Sequence, residues 1–397
     1  MRLKAIGDYP SVLERPSRHR ASPAVSASKG GLEVVAVRSL DALRREAPEW
    51  ETLAVAGGMA QQPAFVEAAW ASGACTGHLL ILMAKDQGRL VGVWPLYREI
   101  AVARVLRHVG SGGREEYAGP LLAEGRDPLP ILDALLQVAR REGDIIELYN
   151  LEHGSYLHRF FAAETSPRRI STTTVCSLST ASAPWANWIA GRRKNLRSGL
   201  ARRRRRLSEQ GAVTFRQIAP SEARAHVRWC IEQKRTWLRA RKNRNGWLGH
   251  DAIIDFYASL IAQDAGVQGF VLELNGATIA GEICLAGPRR LESYLTAYDP
   301  AWHAYSPGNL LTEELARWCS ARQLDFDLRF PASPYKLEWA DRLREVHTIV
   351  IATTFRGAIM AELKRLRGGV LLARRFARAT LRRFAPSARA ERANSRP

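Results

Sequence analysis

The sequence predicts an α/β protein made of two related units in tandem, each a mixed sheet flanked by helices. Three observations lead there. The chain has 397 residues, long for one domain and comfortable for two. Its apolar runs are strand-length and alternate with segments of helical period. The order strand, helix, helix, hairpin, loop, helix, strand occurs twice.

In the first half a strand is expected over Leu32–Val37, and helices over Leu40–Leu53 and Pro63–Ser72. Two apolar strands, His78–Lys85 and Arg89–Arg98, flank Asp86-Gln87-Gly88, a hairpin signal. A polar loop, Gly112 to Pro120, carries Glu116 and Tyr117 as residues able to touch a substrate or simply to cover the surface. A helix at Pro128–Arg141 and strands at Asp144–Tyr149 and Thr172–Leu178 close the unit. The second half repeats the series. A strand at Val213–Ile218 precedes helices at Pro220–Arg239 and His250–Asp264. A hairpin turns at Asn275-Gly276, and a third strand spans Arg290–Tyr298. A helix at Gly308–Ala321 and strands at Leu324–Phe330 and His347–Thr353 end it. The expected domains are residues 31–182 and 183–358, with a disordered arm over 1–30 and a basic amphipathic tail over 359–397. Two sheets, one per half, should meet along a cleft near residues 180–190.

A hydrophobic fraction of 46% allows a sizeable core. No apolar run approaches the length of a bilayer span, and no secretory h-region is visible, so a cytoplasmic protein is expected. The five cysteines form no C-x-x-C pair and have no histidines nearby to complete a zinc pattern; they read as reduced thiols. A net charge of +20 points to phosphate-rich partners: nucleic acid, anionic lipid or a nucleotide-linked substrate. Much of it lies in two places. Arg192 to Arg206 forms a basic helix without aromatics, which argues against a base-stacking platform. Beyond Leu363, Leu366, Val370, Ala377, Leu381 and Phe384 fall on one helical face, opposite Arg367, Arg374, Arg375, Arg378 and Arg382. Such a tail suits peripheral contact with an anionic membrane, or packs on the domain.

The span Asn275 to Trp339 carries the chemistry. It reads Ile279-Ala280-Gly281-Glu282, then Tyr294 and Tyr298-Asp299, then Tyr305-Ser306-Pro307-Gly308-Asn309-Leu310-Leu311, then Asp325-Phe326-Asp327, then Tyr335-Lys336 and Trp339. Glu282 stands mid-strand in an apolar run, where a carboxylate faces a cleft or needs a partner. Ser306-Pro307-Gly308 ends a loop and opens a helix, whose free amides and dipole favour an anion. An ordinary capped helix would read the same way.

Taken in this order, these residues resemble the acetyltransferase family within the GNAT superfamily that is often associated with cellulose and exopolysaccharide biosynthesis. That family is related to the Fem-type aminoacyltransferases of peptidoglycan assembly. The resemblance covers roughly Leu32 to Thr353 and is strongest after Arg193. It implies two tandem GNAT-like domains and an acyltransferase using acetyl-CoA or another acyl-CoA, with no metal. The acceptor would be an amine on an amino sugar or a glycan or cell-envelope precursor. The CoA pyrophosphate would meet the loop His303 to Gly308, with Ser306, Gly308 and Asn309 as its residues; here His fills the family's Arg/Gln position and Ser306 its first glycine. Lys336 would stabilise developing negative charge. Glu282 would be the base, with Asp299 and Asp327 as rivals that could equally serve a turn or cap, and Tyr298 would protonate the leaving thiolate or merely pack. Tyr335, Asp299, Tyr117 and Arg193 are the implied substrate contacts. The helix opening at Gly308 should point into a cleft that also holds Glu282 and Asp327. Two other readings stay open: aminoacyl-tRNA as the donor, which suits the charge, and a non-catalytic module binding nucleic acid or membrane, for which no recognised signature is present.

Overall fold

The chain lays down one series of elements twice. The computed structural model describes residues 28–29, 31–54, 57–110, 117, 119–165, 169–241 and 247–366. The first series is β1 (Ser28–Lys29), β2 (Leu32–Val37), α1 (Leu40–Ala54), α2 (Pro63–Ala71), β3 (His78–Asp86), β4 (Arg89–Ile100), β5 (Arg104–His108), β6 (Leu121–Leu122), α3 (Pro128–Glu142), β7 (Ile145–Glu152), α4 (Tyr156–Ala163) and β8 (Ile170–Leu178). Helices α5 (Trp185–Ala190) and α6 (Lys194–Ser208) connect the halves. The second series is β9 (Val213–Gln217), α7 (Ala223–Ala240), α8 (Ala252–Ala262), β10 (Val267–Leu274), β11 (Ala277–Ala286), β12 (Arg290–Tyr298), α9 (Pro307–Ser320), β13 (Asp325–Arg329), α10 (Pro334–Trp339) and β14 (Arg342–Ala352). A further helix covers 355–366. Of the arm expected over 1–30, Ser28–Lys29 are described and pair with β2 as a strand rather than being disordered; the rest of it, the loop 111–116 and the tail beyond 366 lie outside the described residues. No helix among the described residues is long and apolar enough to cross a membrane.

Both hairpins turn where the sequence marks them. Gln87 and Gly88 have φ of 50° and 80°, and Asn275 and Gly276 have 51° and 80°. Two successive left-handed residues match the twist of a two-residue hairpin.

The expectation of two separate sheets is corrected. All the strands join one sheet in the order β1-β2-β3-β4-β5-β7-β14-β8-β13-β12-β11-β10-β9, with β6 beside β4. Each half is nevertheless the same mixed unit: three antiparallel pairings, then one parallel pairing, β5 with β7 and β12 with β13. The last strand of each half has crossed over. β14 pairs with β7 of the first half, β8 pairs with β13 of the second, and β8 and β14 pair with each other. Strand propensity marks a strand but not its partner, so nothing in the residues announces this exchange.

Helices cover both faces. On one, α1 and α2 share a single core with α7 and α8, through Trp50, Phe65, Val227, Cys230, Phe256 and Leu260. On the other, α3 and α4 pack on the first half, and α5, α6 and α9 on the second. All five cysteines are buried and unbridged, as their spacing predicts. Gly281 allows β11 to approach α7: a Cβ there would lie 2.8 Å from Cys230 Sγ and 3.1 Å from the Trp229 ring. Gly281→Ala is expected to cost about 1–3 kcal/mol in urea unfolding through this overpacking.

Candidate active site

The site lies where the second half's sheet opens. Ile283 pairs with Leu295 but Cys284 with Ser293, so β12 has one extra residue, Tyr294. Such a bulge bends a strand and re-aims its side chains. β12 and β13 stay paired only over Arg290–Glu292 against Asp325–Asp327. Beyond those rows no pairing holds them together, and a cavity of about 290 Å³ sits at this end of the sheet.

Four elements wall the cavity. α9 presents its N-terminal end through Ser306, Pro307, Gly308, Asn309 and Thr312. β12 supplies Thr296 and Tyr298, α7 supplies Gln233, Lys234 and Trp237, and α10 supplies Tyr335. Ser306 is the N-cap of α9 in the left-handed region, φ 52° and ψ 54°, and no side chain caps the helix. The helix dipole and its uncapped end favour an anion there. Asn309 is held by Trp339, whose indole N–H donates to Asn309 Oδ1 at 3.1 Å. Tyr298 bonds His303 Nδ1 through its hydroxyl at 3.1 Å.

Glu282 is 1% exposed and does not line the cavity itself. The Ser293 hydroxyl donates to its Oε1 at 2.5 Å, and Ser293 Oγ lies 3.4 Å from Thr296 Oγ1. Thr296 reaches the cavity wall, so a chain of hydroxyls runs from the cavity to the carboxylate. Burial pushes the Glu282 carboxyl up to about 7, against the pull of Ser293, Thr296, Lys234 and Lys336. Burial also lowers the Lys234 ammonium, whose Nζ donates to the Thr296 carbonyl at 3.3 Å.

Lys336 occupies the third position of α10. Its Nζ donates to the carbonyls of Arg329 and Phe330, both at 3.4 Å. Burial lowers it to about 8, and both Glu282 and Asp327 lie close enough to oppose that shift. Tyr335 beside it is raised by burial.

Asp327 does not share Glu282's cleft, contrary to expectation. Paired residues point to the same side of a sheet. Glu282 pairs with Thr296 and Asp327 with Glu292, and the bulge between Glu292 and Thr296 puts the two carboxylates on opposite faces. Asp327 is fully buried in a polar cluster: it accepts from Tyr117 Oη at 2.9 Å, Arg344 Nη2 at 2.6 Å and the Arg329 amide at 2.7 Å. Glu292 binds Arg329 Nη1 at 2.5 Å and Arg290 Nε at 3.2 Å. Tyr117 comes from the first half, and the guanidiniums of Arg290 and Arg329 each lie 4.8 Å from its ring centre. Tyr117 is therefore a bridge between halves. Asp299 caps the turn before α9, accepting from the Ala301 amide at 2.9 Å. Arg193 is exposed at the start of α6 and is not on the cavity wall.

The corresponding opening in the first half is closed by charge. There β5 and β7 also pair over three rows, 105–107 against 145–147, and Arg107 Nε donates to Glu147 at 2.7 Å between them, both side chains buried.

Sequence reasoning missed Lys234, Trp237, Thr296 and Ser293. A signal existed for Lys234: Val227, Cys230, Ile231, Lys234 and Leu238 follow the buried stripe of α7, and a lysine on that stripe needs a reason. Ser293 and Thr296 reach Glu282 together only because of the bulge, which no residue pattern announced.

Residues 194–337 match the family model described as an acetyltransferase (GNAT) domain. This stretch contains the whole cavity wall, so the cavity lies within the part of the chain that is similar to that domain. None of the curated proteins matches the chain. Among solved structures, the chain is similar to the C-terminal (DUF2156) domain of a protein assigned as a lysylphosphatidylglycerol synthetase from Agrobacterium fabrum. That match has 12% identity and a TM-score of 0.52, covering 81% of this chain and 96% of that one. It is similar to L-PGS from Bacillus licheniformis at 16% identity and a TM-score of 0.50, over 81% and 96%. A tandem GNAT protein from the clavulanic acid biosynthesis pathway aligns at 13% identity and a TM-score of 0.46, over 81% and 99%. At such identities the likeness is one of fold.

Proposed function

We propose that the protein transfers an acyl group from acyl-CoA, acetyl-CoA being the simplest, to an amine, by direct attack within a ternary complex. The observation that carries this is the cavity at the uncapped start of α9, beside a buried carboxylate poised near neutrality. The donor's phosphates lie against α9 and Lys234, and its thioester lies along β12. Holding both reactants in one cleft supplies much of the acceleration. As the amine nitrogen attacks the carbonyl, it loses a proton to Thr296 Oγ. Thr296 passes its own to Ser293, and Ser293 passes its own to Glu282. Lys336 stabilises the oxyanion, and Tyr298 returns a proton to the departing CoA thiolate. The amide forms, the C–S bond breaks, and free CoA leaves.

On this reading the acceptor is an amino sugar or a glycan or cell-envelope precursor. The enzyme works in the cytoplasm, with the basic tail touching an anionic membrane. A second reading, with aminoacyl-tRNA as donor, draws on one observation. Arg202, Arg205 and Arg206 of α6 are exposed, and Arg206 stacks on Tyr305, the last residue of the turn before α9.

Calorimetric titration with CoA, acetyl-CoA and tRNA separates the two. CoA is expected to bind, and Lys234→Met to weaken it about tenfold or more, the loss of one charge-assisted contact. Binding of tRNA alone, abolished by alanine at Arg202, Arg205 and Arg206, would reject the CoA reading.

A further inference from the structure

The first half carries a group of side chains that acyl transfer does not use. His153 follows β7, His158 is the third residue of α4, and His347 is on β14. One ring nitrogen from each lies within 4.8 Å of the other two. His153 Nδ1 is 2.9 Å from His347 Nε2. The ring of His158 stacks on that of His347 at 4.2 Å. The other nitrogen of His347, Nδ1, lies 3.1 Å from Thr172 Oγ1.

The place is informative. α4 in the first half corresponds to α10 in the second, and His158 and Lys336 are each the third residue of their helix. β14 lies against β7 as β8 lies against β13, with His347 paired to Leu151 and Cys176 to Arg329. The histidines therefore stand where the other half has its lysine.

We propose that His153, His158 and His347 form a binding site for a divalent transition-metal ion of the zinc class, distinct from the acyl-transfer cavity. Three imidazoles suit zinc, and three protein ligands leave a fourth position for water. Zinc–nitrogen bonds of about 2.0–2.1 Å hold tetrahedral ligand atoms about 3.4 Å apart, between the 2.9 Å of the His153–His347 pair and the 4.8 Å that bounds the cluster. His153 is exposed, which gives the ion a route in, and His347 is buried, which gives the site an anchor. Thr172 supplies the outer hydrogen bond that fixes a metal-binding histidine's ring and tautomer. Two local contacts oppose the ion: Arg159 is close enough to disfavour charge on His158, and the Gly154 amide, donating to His158 Nδ1 at 3.3 Å, must yield if that atom ligates. Bound metal would tie β7, α4 and β14 together across the exchanged strand.

The full chain, stripped with EDTA, is titrated with Zn²⁺ against a chromophoric chelator, and with Co²⁺ by visible absorption. One equivalent of metal is expected, with Co²⁺ giving tetrahedral d–d bands and no thiolate charge-transfer band. His153→Ala, at an exposed position where the fold tolerates change, is expected to weaken Zn²⁺ by about 100-fold, and Thr172→Val by about 10-fold or more. Circular dichroism of each variant checks the fold. Absence of stoichiometric uptake overturns the proposal. So does uptake unaffected by His153→Ala and Thr172→Val, or a Co²⁺ spectrum showing cysteine ligation.

Discussion

Glu282→Gln is expected to lower kcat for acyl transfer by about 10² to 10⁴, the range of general acid–base assistance, while leaving donor affinity near that of wild type. The wild-type rate should rise as pH passes about 7, because the buried carboxyl must lose its proton before it can accept the amine's. In the variant that acid limb disappears. Stability separates this outcome from simple misfolding. The folded-state value of Glu282 is raised from 4.5 to about 7, so the fold binds this proton more tightly than the unfolded chain does. Its favourable contribution is full below pH 4.5, declines between 4.5 and 7 and is lost above 7. A buried carboxylate therefore costs about 3 kcal/mol at pH 8 relative to pH 4, and glutamine removes that cost. The variant should unfold at higher urea than wild type at pH 8, and lose the advantage near pH 4.5. A dead enzyme that is also less stable at pH 8 would mean that Glu282 is structural. Thr296→Val should reproduce the kinetic defect in milder form, because it breaks the hydroxyl chain at the cavity wall.

Lys336→Met should lower kcat by about 10² to 10³, as removal of one oxyanion donor does, with little change in donor affinity, since the charge it meets exists only in the transition state. With its ammonium lowered to about 8, the wild-type rate should fall again as pH rises through 8. The profile is then a narrow bell, its acid limb from Glu282 and its alkaline limb from Lys336. Lys336→Arg keeps a charge that does not titrate in this range, so the alkaline limb should vanish without full recovery of rate, the guanidinium being planar and larger. A methionine variant that loses donor affinity at unchanged kcat would make Lys336 a ground-state clamp. One that loses only stability would show that its bonds to the Arg329 and Phe330 carbonyls are its whole purpose.

Local order was largely legible in the sequence. Asn275-Gly276 and Gln87-Gly88 carry their turn geometry in their residue types, and the paired strands follow from them. The start of α9 was readable from Ser306-Pro307-Gly308, because proline belongs at the first position of a helix. What depended on distant pairing was not. β5, α4 and α10 are short, with 5, 8 and 6 residues, too few to show a period. Glu282 was picked out because a carboxylate in an apolar strand demands an explanation. Asp327 was chosen as a rival because it ends a strand beside the expected cleft, and it proved to be an ion-cluster residue, since its face relative to Glu282 was decided by the one-residue bulge at Tyr294. Histidines 153, 158 and 347 could not be grouped from their spacing, because β14 joins them only through the crossed-over sheet.

The exchanged strands bear on how the chain is made. A ribosome releases β8 long before either of its neighbours, β13 and β14, has been synthesised. Until then β8 is an unpaired edge, exposed to association with other chains. The first half can finish its own sheet only after the final strand emerges. A chain cut between residues 182 and 183 would leave one fragment without the partners of β8 and another without those of β14. Expressed alone, each should aggregate or dimerise by swapping strands. Expressed together, the two fragments should assemble into an active enzyme, each supplying the strand that the other lacks.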